Sequence, residues 1–216
     1  ESQTPPGRWT LAARFRRGEK ALADGRVDDA KVAFTDCLTR STDLQHQGYS
    51  LVYLAEIALA SNDAEAFAKL DAAAERLKKL PAAQVDRYQR LAARADLARA
   101  DLTSSDASRE LVRRAAARLQ DHARFGRAED EYLRAVAAMR LESYDDALRS
   151  LLTLDAAALP SNDQGELPAL LAQLHVQLEQ HDQAARVLAM LVELQPERED
   201  ADWCRGQLTM SLAALG

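Results

Sequence analysis

Residues that favour strands are what this chain has least of. Aromatics make up only 5% of its 216 residues, although apolar residues as a whole reach 47%. The core must therefore be built from Ala and Leu, which are good helix formers, and not from the aromatic and β-branched side chains that suit a pleated sheet. Eight glycines and six prolines are too few breakers for a many-stranded fold. There is no run of 18 apolar residues, so no segment reads as a membrane span. Cysteine is scarce too. Cys37 and Cys204 lie in the first and last structural units, too far apart in an extended array for disulfide geometry, and each sits in an apolar helical pattern, so both read as buried free thiols.

Catalytic signatures are absent in the same way. There is no Gly-rich phosphate loop and no nucleophile elbow. The four histidines, His46, His122, His175 and His181, have no partner at metal-ligand spacing, and His175 and His181, six apart, point to different helix faces. No catalytic residue, cofactor or metal site is read. The acidic run Glu129-Asp130-Glu131 is explained by the dipole of the helix it begins. The chain opens Glu-Ser-Gln-Thr-Pro-Pro-Gly without an initiator Met, which reads as a processed or cut chain and leaves its compartment open between cytoplasm and periplasm.

What the chain does have is helical periodicity. After a loose polar leader over residues 1–7, apolar residues three and four apart carry a pattern from Arg8 to the last residue, interrupted at short polar links. The pattern divides into hairpins over about 8–40, 43–79, 82–124, 127–157 and 163–195, followed by a single helix over 197–215. The links include Asp24-Gly25-Arg26, Thr103-Ser104-Ser105-Asp106, Phe125-Gly126 between the third and fourth hairpins, Glu142-Ser143-Tyr144-Asp145-Asp146 and Glu179-Gln180-His181-Asp182. Asn62, three residues before Glu65, has the spacing of a helix cap, and Leu77 continues the apolar stripe of the helix it would start. A small residue follows each link at Ala30, Ala66, Ala107, Ala147 and Ala184, at intervals of 36, 41, 40 and 37 residues. Units of this length, each a helix pair, predict an all-α solenoid, since one hairpin cannot bury its own apolar faces and needs neighbours. The small residue is expected where the two helices cross most closely.

These units resemble tetratricopeptide repeats. The residues that carry the resemblance are Gly18, Gly25, Ala30 and Phe34 in the first hairpin, Tyr144-Asp145-Asp146-Ala147 with Leu151 in the fourth, and Ala172, Ala184, Leu188 and Pro196 in the fifth. Trp203-Cys204-Arg205-Gly206 is similar to the start of a further repeat, while Leu54 and Ala95 stand where the second and third units would have the first-helix glycine. The resemblance implies a right-handed α-solenoid of about five hairpins plus a capping helix, with the first helices lining a concave face. It further implies a noncatalytic scaffold holding a peptide or helix of a partner protein. By register, that face would present Phe15, Glu19 and Leu22 from the first hairpin, Leu51 and Ala55 from the second, and Tyr132, Val136, Met139 and Arg140 from the fourth. Gln173 and Gln177 would follow from the fifth, and Trp203, Gln207 and Met210 from the cap. With Phe15 and Glu19 where a Lys and Asn pair would be needed, a clamp for a terminal carboxylate is disfavoured.

Charge bears on the choice of partner. Residues 1–127 hold 22 Lys and Arg against 18 Asp and Glu, whereas residues 128–216 hold 6 against 16. This gradient reads first as a solvated surface, and it also admits pairing of one copy with another. In the third hairpin Arg87, Arg90, Arg94 and Arg99, then Arg109, Arg113, Arg114 and Arg118, form basic stripes. Asp86, Asp96, Asp101, Asp106, Glu110 and Asp121 are interleaved with them and only Tyr88 offers a ring to stack, so nucleic acid is a disfavoured partner. The Arg- and Ala-rich, Lys-poor composition points to a high-GC bacterium and a bacterial assembly. Two further readings stand beside the scaffold: a self-associating structural module, in which Trp203, Leu208 and Leu212 form a seam, and a regulatory or sensory part of a longer chain.

Overall fold

The computed structural model describes residues 8–61, 65–76, 79–103, 105–121 and 127–216. The leader over 1–7, the cap at Asn62, Leu77, Ser104, His122 and the link Phe125-Gly126 lie outside the described residues, as does the side chain of Trp9. Among the described residues there are eleven α-helices and no strand. In order they are α1 (Arg8–Ala23), α2 (Val27–Arg40), α3 (Leu44–Ala60), α4 (Glu65–Ala74), α5 (Ala82–Ala100), α6 (Ser105–Asp121), α7 (Ala128–Arg140), α8 (Tyr144–Thr153), α9 (Ser161–Gln177), α10 (His181–Leu194) and α11 (Ala201–Leu215).

Local chemistry explains where these helices begin. Asp28 and Asp29 sit in the first turn of α2, Glu129, Asp130 and Glu131 in that of α7, and Asp145 and Asp146 in that of α8, where carboxylates meet the positive end of the helix dipole. The side chain of Asp43 caps α3 by accepting from the Gln45 amide at 2.9 Å. Helix ends follow a rule that recurs. Gly25, Glu142 and Glu179 each adopt the left-handed conformation, with φ of 74°, 63° and 55°. Each stands five residues before the small residue of its hairpin, Ala30, Ala147 or Ala184. The amide of the next residue then reaches back across the end of the helix, Arg26 to the Ala21 carbonyl at 2.8 Å, Ser143 to Ala138 at 2.9 Å and Gln180 to His175 at 2.9 Å. A second bond closes each turn, from Gly25 to Leu22, Glu142 to Met139 and Glu179 to Val176. This is the Schellman arrangement, repeated three times with the same register, and it sets how the second helix leaves the first.

Packing runs from each helix to its sequence neighbour. The chain divides into two compact units, residues 1–98 and 99–216. In the first, α1 packs on α2, α2 on α3 and α3 on α4. Its core joins Ala21, Ala30 and Phe34 to Tyr53, Leu54 and Ile57, and joins Leu51, Val52 and Ala55 to Leu70, Ala73 and Leu91. In the second, the same succession runs from α6 to α11, with Ala169, Ala172, Ala184, Leu188, Leu191 and Cys204 in one cluster. Ala30, Ala66, Ala147 and Ala184 are all buried, as close crossing of paired helices requires. Gly18 shows how close: a Cβ there would stand 2.8 Å from the ring of Phe34. Cys37 and Cys204 are free and buried, and burial pushes both thiols up from their usual range.

Three expectations change. Ala107 is exposed, and the buried stripe of α6 is Val112, Ala115 and Leu119. The helix expected to reach Lys79 ends as α4 at Ala74. Tighter bonds, from the Arg76 amide to the Ala73 carbonyl and from Lys79 to Arg76, take over there and turn Leu80 onto Gly48, where a Cβ would lie 2.9 Å from the leucine. The opening helix of the fifth hairpin starts at Ser161 and carries Pro168 in its interior.

Candidate protein-binding face

The first helices of successive hairpins meet through a ladder of side chains in the first unit. Phe15 and Glu19 lie one turn apart on α1, Tyr49 and Tyr53 one turn apart on α3, and Arg87 on α5. Tyr49 follows Phe15 by 34 residues, Tyr53 follows Glu19 by 34, and Arg87 follows Tyr53 by 34. The Phe15 ring centre lies 5.6 Å from that of Tyr49 and 5.4 Å from that of Tyr53, and Phe34 stacks beneath Tyr53 at 4.6 Å. The Tyr53 hydroxyl donates to Glu19 Oε1 at 2.7 Å. On its other side the Arg87 guanidinium sits 3.8 Å above the Tyr53 ring, and Arg87 Nε donates to Glu56 Oε2 at 2.9 Å. Burial, together with donation to the Glu19 carboxylate, pushes the Tyr53 phenol up to about 12.

Within this ladder Phe15, Glu19 and Leu22 are half-buried, and Leu22 packs on the Phe34 cluster. Leu51 and Ala55 lie elsewhere. Both are buried against α4 and α5, and the α3 residues that meet Phe15 and Glu19 are Tyr49 and Tyr53. The second-helix alanines used to set the register are 36 residues apart, whereas the first helices keep a period of 34. Two residues of offset rotate a helix by about 200°, enough to exchange the side of α3 that packs on α4 and α5 for the side that meets α1. Tyr49 and Tyr53 were missed for this reason, and Arg87 was read only as part of a basic stripe. The 34-residue spacing from Phe15 and Glu19 is the signal that finds them.

In the second unit, Tyr132 of α7 is buried, and Val136 and Met139 are half-buried beside it. Arg140, at the end of α7, pairs with Asp101 at 3.0 Å. Gln173 is half-buried and Gln177 exposed on α9. On α11, Trp203 packs against the cluster of Ala169 and Ala172, Gln207 is half-buried, and Met210 is 65% exposed. Where α9 and α11 begin, Arg198 donates to Asp200 at 2.8 Å and pairs with Glu166 at 3.1 Å, and it holds the Asp200 carboxyl below its usual range. Among the described residues, no three His, Cys, Asp or Glu side chains gather as a metal site, and no helix is long and apolar enough to cross a membrane.

Helix pairs packed neighbour on neighbour, with small residues at most crossings and a repeated Schellman turn, can be compared with known proteins as a whole fold. No protein-family model matches the chain, and no curated protein matches it. Among solved structures, TTC0263, a thermophilic TPR protein in Thermus thermophilus, superposes with a TM-score of 0.55. The match covers 94% of this chain and 99% of that one, at 23% sequence identity. The fold is tetratricopeptide-like. The all-α solenoid of helix hairpins expected from the repeat is thus the architecture found.

Proposed function

We propose that this protein is a noncatalytic interaction scaffold whose first-helix face holds a peptide or a helix of a partner protein within a bacterial assembly. The observation that carries the reading is the continuous ladder Phe15, Tyr49, Tyr53 and Arg87, in which aromatic rings and paired charges from three first helices are locked together on one face. Phe15, Tyr49 and Arg87, half-buried and held in place by the buried Tyr53, offer contact area at little ordering cost when a partner arrives. In the second unit Met139 and Gln177, with Trp203 and Met210, supply the adaptable and aromatic contacts that such surfaces favour.

The test uses a partner captured from the native host, identified, and then purified as its bound segment. Two double variants, Glu56→Ala with Arg87→Ala and Met139→Ala with Gln177→Ala, remove half-buried or exposed groups and leave the fully buried core in place. At least one is expected to weaken the segment by about tenfold in calorimetry, the loss of a single contact worth about 1.4 kcal/mol. Unchanged affinity in both, with unchanged helicity, would place the binding surface elsewhere.

A further inference from the structure

Glu19 is a charge in the ladder that the chain leaves unanswered. Among the described residues no basic side chain pairs with it: Oε1 accepts from the Tyr53 hydroxyl at 2.7 Å, and Oε2 has no donor. Arg16 and Lys20 of the same helix are exposed and do not reach it. The Glu19 carboxylate is half-buried, and a charge drawn part-way out of water is costly until a cation meets it.

The rings beside Glu19 say what kind of cation fits. Phe15 stands one turn before it on α1, and Tyr49 lies across on α3 with its ring centre 5.6 Å from that of Phe15; both are half-buried. The same fold already shows what a ring and a carboxylate hold together. Arg87 places its guanidinium 3.8 Å above the Tyr53 ring while its Nε donates to Glu56 Oε2 at 2.9 Å. Phe15, Tyr49 and Glu19 repeat those two parts without the arginine. A guanidinium suits such a set better than an ammonium, because its flat face lies against a ring while its edge donates to a carboxylate.

We propose that Glu19, Phe15 and Tyr49 seat an arginine side chain of the partner segment, with the guanidinium donating to Glu19 Oε2 and lying against the two rings. The proposal rests on the reading of the first-helix face as the binding face, and it adds the chemistry of one contact. Arg87 does not compete for the seat, since Tyr53 and Glu56 already hold it. The Tyr53 hydroxyl donates to Oε1 and so fixes the carboxylate before the partner arrives, which lowers the ordering cost of the contact.

The probe is a short capped glycine peptide with one central arginine, and its control carries citrulline, which has nearly the same shape and no charge. In an NMR titration of the full chain, the arginine peptide is expected to shift the ring resonances of Phe15 and Tyr49, and the citrulline peptide to leave them in place at the same concentration. Glu19→Gln keeps an acceptor for the Tyr53 hydroxyl and the side-chain volume, so the fold is retained; it is expected to weaken the arginine peptide about tenfold. Phe15→Leu is expected to weaken it about threefold. Rings that do not move, citrulline bound as well as arginine, or unchanged affinity in Glu19→Gln each overturn the proposal. The captured partner segment separates this from the scaffold reading. If it shifts both rings and binds Glu19→Gln undiminished, the face is used without an arginine and the seat alone is overturned; if it leaves both rings in place, the face is overturned and the seat with it.

Discussion

Three turns in this chain ask for the same backbone, and only one of them uses glycine. Gly25 takes the left-handed conformation at no steric cost, but Glu142 and Glu179 adopt it with a Cβ that crowds the following carbonyl. Each strain is worth about 1 kcal/mol. Glu142→Gly and Glu179→Gly are therefore expected to stabilise the fold by about 0.5–1 kcal/mol each, part of the relief being returned as unfolded-state entropy. Urea denaturation of the single variants checks this. A lower midpoint for both would mean that the Glu side chains do something the turn geometry does not show. The reverse constraint holds at Gly18, where the Phe34 ring occupies the space a Cβ would need and only glycine fits.

At the scale of elements, the ladder through Tyr53 fastens α1, α3 and α5 to one another. Its phenol is raised to about 12 from an ordinary value of about 10. The folded state thus keeps the proton when the unfolded chain has lost it. The resulting stability is fully present below about pH 10 and is lost as pH rises from about 10 through 12. Denaturation midpoints measured between pH 9 and 11.5 are expected to fall more steeply for the wild type than for Tyr53→Phe. Equal slopes would show that Tyr53 ionises as freely in the fold as out of it. The element scale is also where the sequence is hardest to read. Helix existence was legible because apolar residues recur at helical spacing over long stretches. The side of α3 that meets α1 was not, because Leu51 and Ala55 are as compatible with a groove as with a core. Only the neighbours to either side distinguish the two.

The molecule as a whole is a succession of neighbour contacts within each of two compact units, and this predicts how damage spreads. Phe34 is fully buried between α1, α2 and α3, and its truncation to Ala should cost about 3–5 kcal/mol. In a repeat fold that loss is carried by the adjacent hairpins and not shared evenly. Hydrogen exchange on Phe34→Ala is expected to speed up through α1 to α4 while the amides of α9, α10 and α11 keep their protection. Uniform loss of protection along the chain would mean that the two units unfold as one. Charge also acts at this scale: residues 1–127 carry an excess of cations and residues 128–216 an excess of carboxylates, so association with charged partners should weaken with salt.

The sequence by itself determined the helical class, the hairpin repeat, the small residues at most crossings and the burial of both thiols. Each of these follows from local spacing and residue size, which a single chain displays without reference to its neighbours. Only the tertiary structure decided which side of α3 meets α1, that Glu142 and Glu179 stand in for glycine, and that Tyr53 is gripped between Glu19 and Arg87. Those facts depend on how far each link and helix runs before the next begins. An offset of two residues is invisible to periodicity, yet it turns a helix by about 200° and changes which neighbouring helix a side chain meets.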